Sequence, residues 1–394
     1  MTDRILRLGV AGLGKAFMLM LPGLVRHPNI RLVAGADPRP EARARFASDF
    51  GASVYETVDA LCADSGVDAV YVATPHQFHA EHVRIAAAHG KHVLVEKPMA
   101  LTSADCRAMA DDVRAAGVHM VIGHSHSFDA PIAQAAALIQ SGRFGPLQMI
   151  TAINFTDFLY RPRRPEELDT SLGGGVIYNQ APHHVDMVRL LAGGGAKSVR
   201  ALTGAWDPAR PTEGAYAALL TFDNGAFATL TYSGYAHFDS DEFMGWVAES
   251  GLPKDPNRYA AARVALSGAG SVAAEATLKE AGNYGGGQAP DVVTGPRLHQ
   301  QFGVLIASCA NADLRPMPGG VFIYGDAARS FDALPNVEMP RKEVLDELCH
   351  AVFYNTPPLH NGEWGLATME VCFAILRSAR EGRDIAPGPE AGAP

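Results

Sequence analysis

The feature that most constrains the fold is an alternation of short apolar runs with helical patterns, which continues from Ile5 to Ile122. The apolar runs are rich in Val, Ile, Leu and Ala, as in strands that are buried on both faces. They are Ile5–Ala11, Ile30–Ala36, Ala69–Ala73, His92–Val95 and His119–Ile122. Strands that alternate with helices and connect through right-handed crossovers form a doubly wound parallel sheet. The sequence therefore predicts an α/β fold with such a sheet for the first third of the chain.

The pattern changes after residue 123, where longer stretches alternate apolar and polar residues, which indicates strands with one exposed face. These stretches are Leu147–Phe155, Val199–Gly204, Tyr216–Phe222 and Ala226–Tyr235. Asp223-Asn224-Gly225 suits the tight turn of an antiparallel hairpin, whereas residues 238–304 have weak periodicity and predict an irregular excursion. We expect a first domain over residues 1–123, an α+β domain with an open, mainly antiparallel sheet over residues 124–385, and a flexible tail over residues 386–394.

The charge balance limits the partners that this chain can have. Its 394 residues include 33 Lys and Arg against 42 Asp and Glu, a formal net charge of −9, which disfavours binding to nucleic acids and anionic membranes. The five cysteines are scattered, and an odd number cannot all pair, so we expect free thiols in a reducing compartment. No apolar run approaches the roughly 20 residues of a membrane helix. We therefore expect a soluble, cytoplasmic protein that binds a small molecule.

A glycine-rich loop follows the first predicted strand and has the sequence Gly12-Leu13-Gly14-Lys15-Ala16-Phe17. Gly12 permits a tight turn, and Gly14 lets the backbone approach a pyrophosphate held at the N-terminus of the next helix. Phe17 stands where such loops usually have a third glycine, so the glycines alone do not identify a cofactor loop. The prediction depends on the position of the loop between a predicted strand and a predicted helix. Asp37 ends the second strand, where an acidic residue binds the ribose 2′-hydroxyl and repels a 2′-phosphate. This favours NAD as the cofactor, with NADP as the alternative because Arg39 lies nearby.

Two further loops end strands at the same predicted edge of the sheet. Ala73-Thr74-Pro75, with His79 following, ends the strand at Ala69–Ala73, and Pro75 leaves backbone groups there to face a cofactor. Glu96-Lys97-Pro98 ends the strand at His92–Val95. A lysine at this position could bind a substrate hydroxyl or accept its proton beside a nicotinamide. We therefore predict that Lys97 is catalytic and that Ala73, Thr74, Pro75, His79, Glu96 and Lys97 belong to the cofactor site.

The segment from Gly173 to Asp186 carries the other predicted proton-transfer group. If it is one helix, Asn179, His183 and Asp186 share a face, which would place an imidazole beside an amide and a carboxylate. A metal site is the alternative, because His124, His126, His183 and His184 could supply nitrogen ligands. Adjacent helical histidines diverge by about 100°. No Cys or HExxH pattern accompanies them, so we predict no metal.

Together, these four motifs occur in the order and spacing of the glucose–fructose oxidoreductase / inositol dehydrogenase family, which the chain resembles over nearly its whole length. The resemblance implies an N-terminal Rossmann domain and a C-terminal domain whose open sheet commonly forms the subunit interface, and so a homodimer or homotetramer. The family's catalytic lysine falls on Lys97 and its catalytic histidine on His183. Two departures concern substrate binding: Asn179 stands where the family often has Asp, and His124-Ser-His126-Ser-Phe128 replaces an N-x-R-F segment.

The substrate prediction depends on the basic run Arg161-Pro162-Arg163-Arg164 and on a resemblance to one branch of the family. Arginine binds carboxylates in bidentate geometry, and a solvated or interface cluster is the alternative for this run. The segments at His124–Pro131 and Gly173–Asp186 resemble the branch that contains phthalate 4,5-cis-dihydrodiol dehydrogenases. We therefore expect oxidation of a carboxylated cyclic cis-diol to a catechol. The predicted substrate-binding residues are His124, His126, Arg161, Arg163, Arg164, Tyr178, Asn179 and Asp186.

Two other functions remain open at this stage. One is a sugar or inositol dehydrogenase that acts on a neutral polyol, for which the arginines would be unimportant. The other is an NAD-binding sensor without catalysis, against which the retention of both Lys97 and His183 argues.

Overall fold

The structure is a computed structural model that describes residues 4–286 and 297–388. Contacts divide the chain into two compact units. The described part of unit 1 comprises residues 4–124, 277–286 and 339–369, and that of unit 2 comprises residues 125–276, 297–338 and 370–388. The first division along the chain falls after His124, but two later segments also pack with unit 1, whereas we expected residues 124–385 to form one domain. Most of the predicted tail, residues 389–394, lies outside the described residues.

Unit 1 is built on a six-stranded parallel sheet in the order β3-β2-β1-β4-β5-β6. Its strands are β1 (Leu6–Ala11), β2 (Ile30–Ala36), β3 (Ser53–Tyr55), β4 (Ala69–Val72), β5 (His92–Val95) and β6 (Met120–Ile122). The helices between them are α1 (Lys15–Leu24), α2 (Pro40–Phe50), α3 (Val58–Cys62), α4 (His79–Ala88) and α5 (Ser103–Ala116). β4 and β5 are almost completely buried, as their apolar sequences predicted. The chain order reverses between β1 and β4, where parallel sheets bind ligands beyond the carboxyl ends of their strands.

Unit 2 contains an eight-stranded sheet in the order β14-β13-β12-β11-β7-β10-β9-β8. Its strands are β7 (Leu147–Phe155), β8 (Ala196–Gly204), β9 (Ala215–Phe222), β10 (Phe227–Ser233), β11 (Val304–Cys309), β12 (Ala312–Met317), β13 (Gly320–Gly325) and β14 (Arg329–Ala333). All neighbours pair antiparallel except β7 and β10, which are parallel. The predicted fold class, a Rossmann-type parallel sheet followed by a mainly antiparallel open sheet, is therefore confirmed.

The remaining helices follow β6 in the chain. They are α6 (Ala130–Gln140), α7 (Gly175–Asn179), α8 (Ala181–Ala192), α9 (Ala261–Ser267), α10 (Val272–Ala281), α11 (Lys342–Tyr354) and α12 (Gly362–Glu381). Helices α6 and α8 pack against the eight-stranded sheet. The other face of that sheet is more open, and it exposes Leu202, Leu219 and Phe227 on β8, β9 and β10. Within the described residues, no helix combines the length and the apolar character that crossing a membrane requires.

The prediction of one helix through Asn179, His183 and Asp186 is wrong. The structure has two helices, α7 and α8, which meet at Gln180. Pro182 lies in the first turn of α8, where its missing N–H and fixed φ favour a helix start over a helix interior. His183 and Asp186 therefore share the first turns of α8, whereas Asn179 ends a separate helix.

Candidate active site

Every predicted cofactor residue of unit 1 lies in a segment that follows one of its strands, and these segments share the carboxyl edge of the sheet. The glycine loop follows β1, Asp37 follows β2, Thr74 follows β4, and Lys97 follows β5. His124, predicted to bind substrate, follows β6 and is buried. Lys15 is exposed, and Ala16, Thr74, Pro75 and Lys97 are half-buried, whereas the side chains of Leu13 and Ala73 are buried. The parallel topology thus brings five segments, far apart in sequence, to one edge.

Gly12 is the position where the glycine loop requires glycine. Its φ is +91°, in the left-handed region that side chains disfavour. A Cβ at Gly12 would also lie 2.9 Å from the carbonyl carbon and oxygen of Ala73 and from the nitrogen of Thr74. The loops after β1 and β4 therefore approach each other closely only because residue 12 has no side chain.

The Asp37 carboxylate binds back onto the glycine loop. Its Oδ2 accepts a hydrogen bond from the Leu13 N–H at 2.8 Å, and its Oδ1 accepts bonds from the Arg39 N–H and Nε, both at 2.9 Å. Arg39 Nη2 donates to Asp37 Oδ2 at 3.0 Å and to the Leu13 carbonyl at 2.8 Å. Burial alone would raise the pKa of Asp37, but the bonds from Arg39 and Leu13 lower it below its ordinary value. The carboxylate is thus held ionised at the loop where a ribose would bind.

Phe17, at the position of the usual third glycine, fills space in the interior with its side chain. Its ring is fully buried, and its centroid lies 5.8 Å from that of Phe46 and 5.2 Å from that of Tyr284. Tyr284 belongs to the segment 277–286, which we expected to be part of the second domain. Its hydroxyl donates to Asp49 at 2.5 Å, and its carbonyl lies 3.4 Å from Arg39 Nη1. This segment is therefore a support of the glycine loop that the sequence analysis missed.

Glu96 lies in the interior of unit 1. It accepts a hydrogen bond of 2.6 Å from the hydroxyl of the fully buried Tyr71 on β4. Burial raises the pKa of Glu96, although the charges of Arg341 and Lys97 and the bond from Tyr71 oppose this shift. The carboxylate thus fastens the end of β5 to β4, directly before Lys97.

His79 joins two of the loops at the sheet edge. Its Nε2 lies 3.0 Å from the Thr74 carbonyl oxygen, and its Nδ1 lies 3.0 Å from the Pro98 carbonyl oxygen. The side chain is buried, and burial lowers its pKa to about 4 despite the carbonyl contacts. Because these contacts are with backbone oxygens, His79 positions the segments that carry Thr74 and Lys97.

In unit 2, His183 forms a compact aromatic cluster with His126 and Phe302. The centroid of the His183 ring lies 4.7 Å from that of His126 and 4.8 Å from that of Phe302, and the rings of His126 and Phe302 stack at 4.8 Å. The His184 ring also packs on Phe302, with centroids 5.0 Å apart, but its Nδ1 lies 2.8 Å from the Tyr216 hydroxyl. The structure thus brings His126 and His183 together, whereas a ring nitrogen of His184 is directed to Tyr216.

Carboxylates flank the His126 ring on both sides. Its Nδ1 lies 2.6 Å from Asp129 Oδ2, and its Nε2 lies 3.5 Å from Glu249 Oε1. Burial opposes protonation of His126, but Asp129 and Glu249 outweigh it and raise its pKa to about 9. Glu249 Oε2 also lies 3.8 Å from Arg161 Nη2, and Arg161 Nε bonds Asp157 at 2.8 Å. A chain of alternating charges therefore runs from Asp129 to Asp157.

The three arginines of the run Arg161-Pro162-Arg163-Arg164 have acidic neighbours. Arg161 is paired with Asp157 and Glu249, and Arg164 Nε lies 3.1 Å from Glu166. Arg163 has the weakest acidic partner of the three, Glu167 at 3.9 Å, and its guanidinium lies over the Phe158 ring at 3.7 Å. Burial lowers the pKa of Arg163 to about 10, and its buried Nε has no hydrogen-bond partner among the described residues. Arg163 is therefore the arginine best suited to an anionic ligand.

The segment from Gly173 to Asp186 is held by hydrogen bonds and a ring contact within unit 2. Asn179 donates to the carbonyls of Gly173 and Gly175, at 3.2 and 2.8 Å, so its amide nitrogen closes the turn. Asp186 accepts a short hydrogen bond from Ser127. Tyr178 is half-buried and its ring lies 6.0 Å from that of Phe373.

Several residues of the site escaped the sequence analysis. Asp129 follows His126 by one helical turn, a local signal that could have been used. Glu249, Phe302 and Tyr284 fall in the weakly periodic excursion, where no local pattern marks them. Glu213 accepts a bond from the Ile177 N–H at 3.3 Å and supports the start of α7 from a loop between β8 and β9.

The comparisons with known proteins agree with this architecture. Residues 6–124 match the GFO/IDH/MocA oxidoreductase family with an NAD-binding Rossmann fold, and residues 132–247 match the GFO/IDH/MocA C-terminal domain. The chain is 46% identical over 377 residues to 1-carboxy-3-chloro-3,4-dihydroxycyclohexa-1,5-diene dehydrogenase of Comamonas testosteroni, which covers 95% of each protein. It is 32% identical over 201 residues to inositol 2-dehydrogenase of Rhizobium meliloti (strain 1021), covering 51% of this chain and 58% of that enzyme.

A solved structure is also similar over nearly the whole chain. The crystal structure of a protein from Bordetella bronchiseptica RB50, described as a dehydrogenase, superposes with a TM-score of 0.92. The two sequences are 42% identical, and the match covers 97% of this chain and 100% of that one. The predicted family, enzyme class and NAD-binding domain are thereby confirmed. The chain belongs to the GFO/IDH/MocA family of NAD(P)-dependent oxidoreductases.

Proposed function

We propose that this protein oxidises a carboxylated cyclohexadiene cis-diol to the corresponding catechol, with NAD⁺ as the hydride acceptor. One observation carries the proposal: 46% identity to a carboxylated dihydroxycyclohexadiene dehydrogenase, over 95% of both proteins. The similarity to inositol 2-dehydrogenase is lower and covers only about half of this chain.

The chemistry requires a hydride acceptor and a proton acceptor. When bound, NAD⁺ would supply the acceptor for the hydride of the carbinol C–H bond, and the amine of Lys97 would accept the hydroxyl proton. Lys97 follows β5 at the ligand-binding edge of the sheet and is half-buried. We assign His183 a supporting role in the same proton transfer. The ketone then tautomerises to the catechol, so the diol loses two hydrogen atoms in total, and aromatisation makes the oxidation nearly irreversible.

Arg163 is our candidate for binding the substrate carboxylate. Its guanidinium is buried and desolvated, which strengthens any ion pair that it forms with a ligand. Arg161 and Arg164 already pair with carboxylates of the protein, which favours a substrate with one carboxylate over one with two.

The test is a dehydrogenase assay that follows NADH formation. The panel contains cyclohexadiene cis-diols with one and with two carboxylates, the uncarboxylated diol, myo-inositol and glucose. We expect the monocarboxylated diol to give the highest kcat/KM, and Arg163→Met to raise KM for it while leaving the uncarboxylated diol unaffected. Turnover of inositol or glucose above all diols would contradict the proposal, and NAD binding without any turnover would favour a sensor.

The assembly and the compartment are part of the same proposal. The open face of the eight-stranded sheet exposes apolar side chains, and its edge strand β14 is exposed along its whole length, which supports a homodimer or homotetramer through this sheet. The five cysteines are buried and none is in a disulfide, which supports a reducing, cytoplasmic environment.

A further inference from the structure

Three potential metal ligands of unit 2 lie close together. His126, His183 and Glu249 each offer one ligand atom, and these atoms all lie within 4.8 Å of one another. His126 Nε2 and Glu249 Oε1 lie 3.5 Å apart. The two histidines are buried, and Glu249 is half-buried.

The surrounding residues orient this group as they do in metal sites. Histidines that bind metals usually bond a carboxylate through the second ring nitrogen, which fixes the tautomer and the ring direction. Asp129 stands in this relation to His126, at 2.6 Å from Nδ1, so that Nε2 is directed towards Glu249. Phe302 stacks on His126 and contacts His183, which restricts both rings.

The charged side chains around this group have a net negative charge, which favours a bound cation. Asp129, Glu249 and Asp157 contribute three negative charges, whereas Arg161 supplies one positive charge. Two positive charges are missing, of which a proton on His126 would supply one and a divalent metal ion both. Two imidazoles and one carboxylate form the ligand set of several catalytic zinc and non-haem iron sites, in which further positions stay open.

We propose that His126, His183 and Glu249 bind a divalent first-row transition-metal ion such as Zn²⁺, with Asp129 as the carboxylate that orients His126. The sequence predicted no metal, because adjacent helical histidines diverge and no Cys or HExxH pattern accompanies them, and it did not identify Glu249. With an ion bound, His183 is a ligand instead of the supporting proton-transfer group assigned above, and proton transfer falls to Lys97 alone. This last consequence rests on the proposed function, whereas the site itself does not.

The test is a calorimetric titration of the chelator-treated full chain with Zn²⁺, without substrate or NAD. We expect one equivalent to bind. Glu249→Gln keeps the shape of a half-buried side chain and should weaken binding at least tenfold, whereas Asp129→Asn should weaken it by roughly 10- to 100-fold. The exposed acid Glu242 provides a matched control, since Glu242→Gln should bind as the wild type does.

Circular dichroism of each variant checks folding, and the visible spectrum of the Co²⁺ form gives a second readout of nitrogen and oxygen ligation. The proposal is overturned if the wild type binds no stoichiometric Zn²⁺, or if Glu249→Gln binds it as tightly as the wild type. The cluster is then an ion-pair network around a protonated His126. A protein that oxidises the diols but binds no Zn²⁺ refutes the metal site alone, and the reverse result refutes the proposed function alone.

Discussion

Asp37, which we predict to select the cofactor, is also part of the protein's own hydrogen-bond network at the glycine loop. The residues that donate to its carboxylate, Leu13 and Arg39, belong to the glycine loop and to the turn that follows β2. Arg39 therefore has to exchange its contacts with Asp37 when a ribose hydroxyl binds there. The same guanidinium becomes available to a 2′-phosphate if the carboxylate is removed.

We therefore expect Asp37→Ala to change the cofactor preference. Hydrogen bonds to charged groups contribute about 1.5–3 kcal/mol, so KM for NAD⁺ should rise by roughly 10- to 100-fold. KM for NADP⁺ should fall, because a repelling charge is lost and Arg39 is released. Steady-state kinetics with both cofactors measure this, with the exposed Asp59→Ala as the control. An unchanged ratio of the two constants would show that Asp37 does not select the cofactor.

Lys97 is the residue on which the proposed proton transfer depends. We expect Lys97→Ala to lower kcat by a factor of about 10²–10⁴, the usual contribution of general acid–base catalysis. NADH binding, followed by fluorescence, should stay intact. Lys197→Ala, at an exposed position of β8, should leave kcat unchanged. Wild-type turnover in the Lys97 variant would remove this residue from the mechanism.

His79 makes the stability of unit 1 sensitive to pH. Burial lowers its native pKa to about 4, whereas the unfolded chain has a histidine pKa of about 6.5. Its contribution to the free energy of unfolding is complete above about pH 6.5, is lost as the pH falls towards 4, and changes no further below that. The slope is at most about 1.4 kcal/mol per pH unit.

Urea unfolding at about pH 7 and about pH 5 tests this dependence. The wild type should lose more stability between the two conditions than His79→Gln, which cannot titrate. The exposed His89→Gln should behave as the wild type does. Equal losses in the wild type and in His79→Gln would contradict the assignment.

At the scale of elements, the short helix α7 depends on a close approach at its first residue. Gly175 has φ of +78°, and a Cβ there would lie 2.2 Å from Glu213 Oε1 and 2.4 Å from Thr212 Oγ1. The buried Glu213 also accepts the Ile177 N–H, so moving it would leave a buried donor without its partner. The turn before α7 and α8, and with it the position of His183, thus requires glycine at residue 175.

Gly193 offers a matched control for this position, because its φ is +65° and a Cβ there would have no heavy atom within 4 Å. Gly193→Ala should cost only the backbone strain of about 1–2 kcal/mol. Gly175→Ala adds steric overlap to the same strain and should destabilise unit 2 further, as measured by urea unfolding. Equal costs for the two variants would show that Glu213 moves aside freely.

At the scale of the whole molecule, the open face of the eight-stranded sheet governs the proposed assembly. Leu219 is 43% exposed on this face and pairs with Arg200 and Thr229 of its neighbouring strands. We expect Leu219→Lys to shift the molar mass in light scattering from the oligomer to the monomer, because a charge would have to be buried. Leu359→Lys, at a residue of unit 1 that is 52% exposed, is the control. An oligomer that survives Leu219→Lys would place the interface elsewhere.

Much of the fold could be predicted because its signals are local. β5 (His92–Val95) and β7 (Leu147–Phe155) have the predicted bounds, since apolar periodicity and turn residues fix them within a few positions. Helix α6 and strands β11 and β12 were missed. Strand β12 contains a proline and charged residues, and the pairing that stabilises it is tertiary.

The sequence by itself determined the parallel α/β unit, its glycine loop and Lys97, because each follows a strand whose apolar pattern is local. Only the tertiary structure decided what the side chains of unit 2 do. It pairs Arg161 and Arg164 with carboxylates, and it brings Glu249 from the weakly periodic excursion to His126. Contacts between residues far apart in the chain depend on how the strands and helices pack. No local sequence pattern predicts that packing, so the ion pairs of unit 2 could be identified only from the tertiary structure.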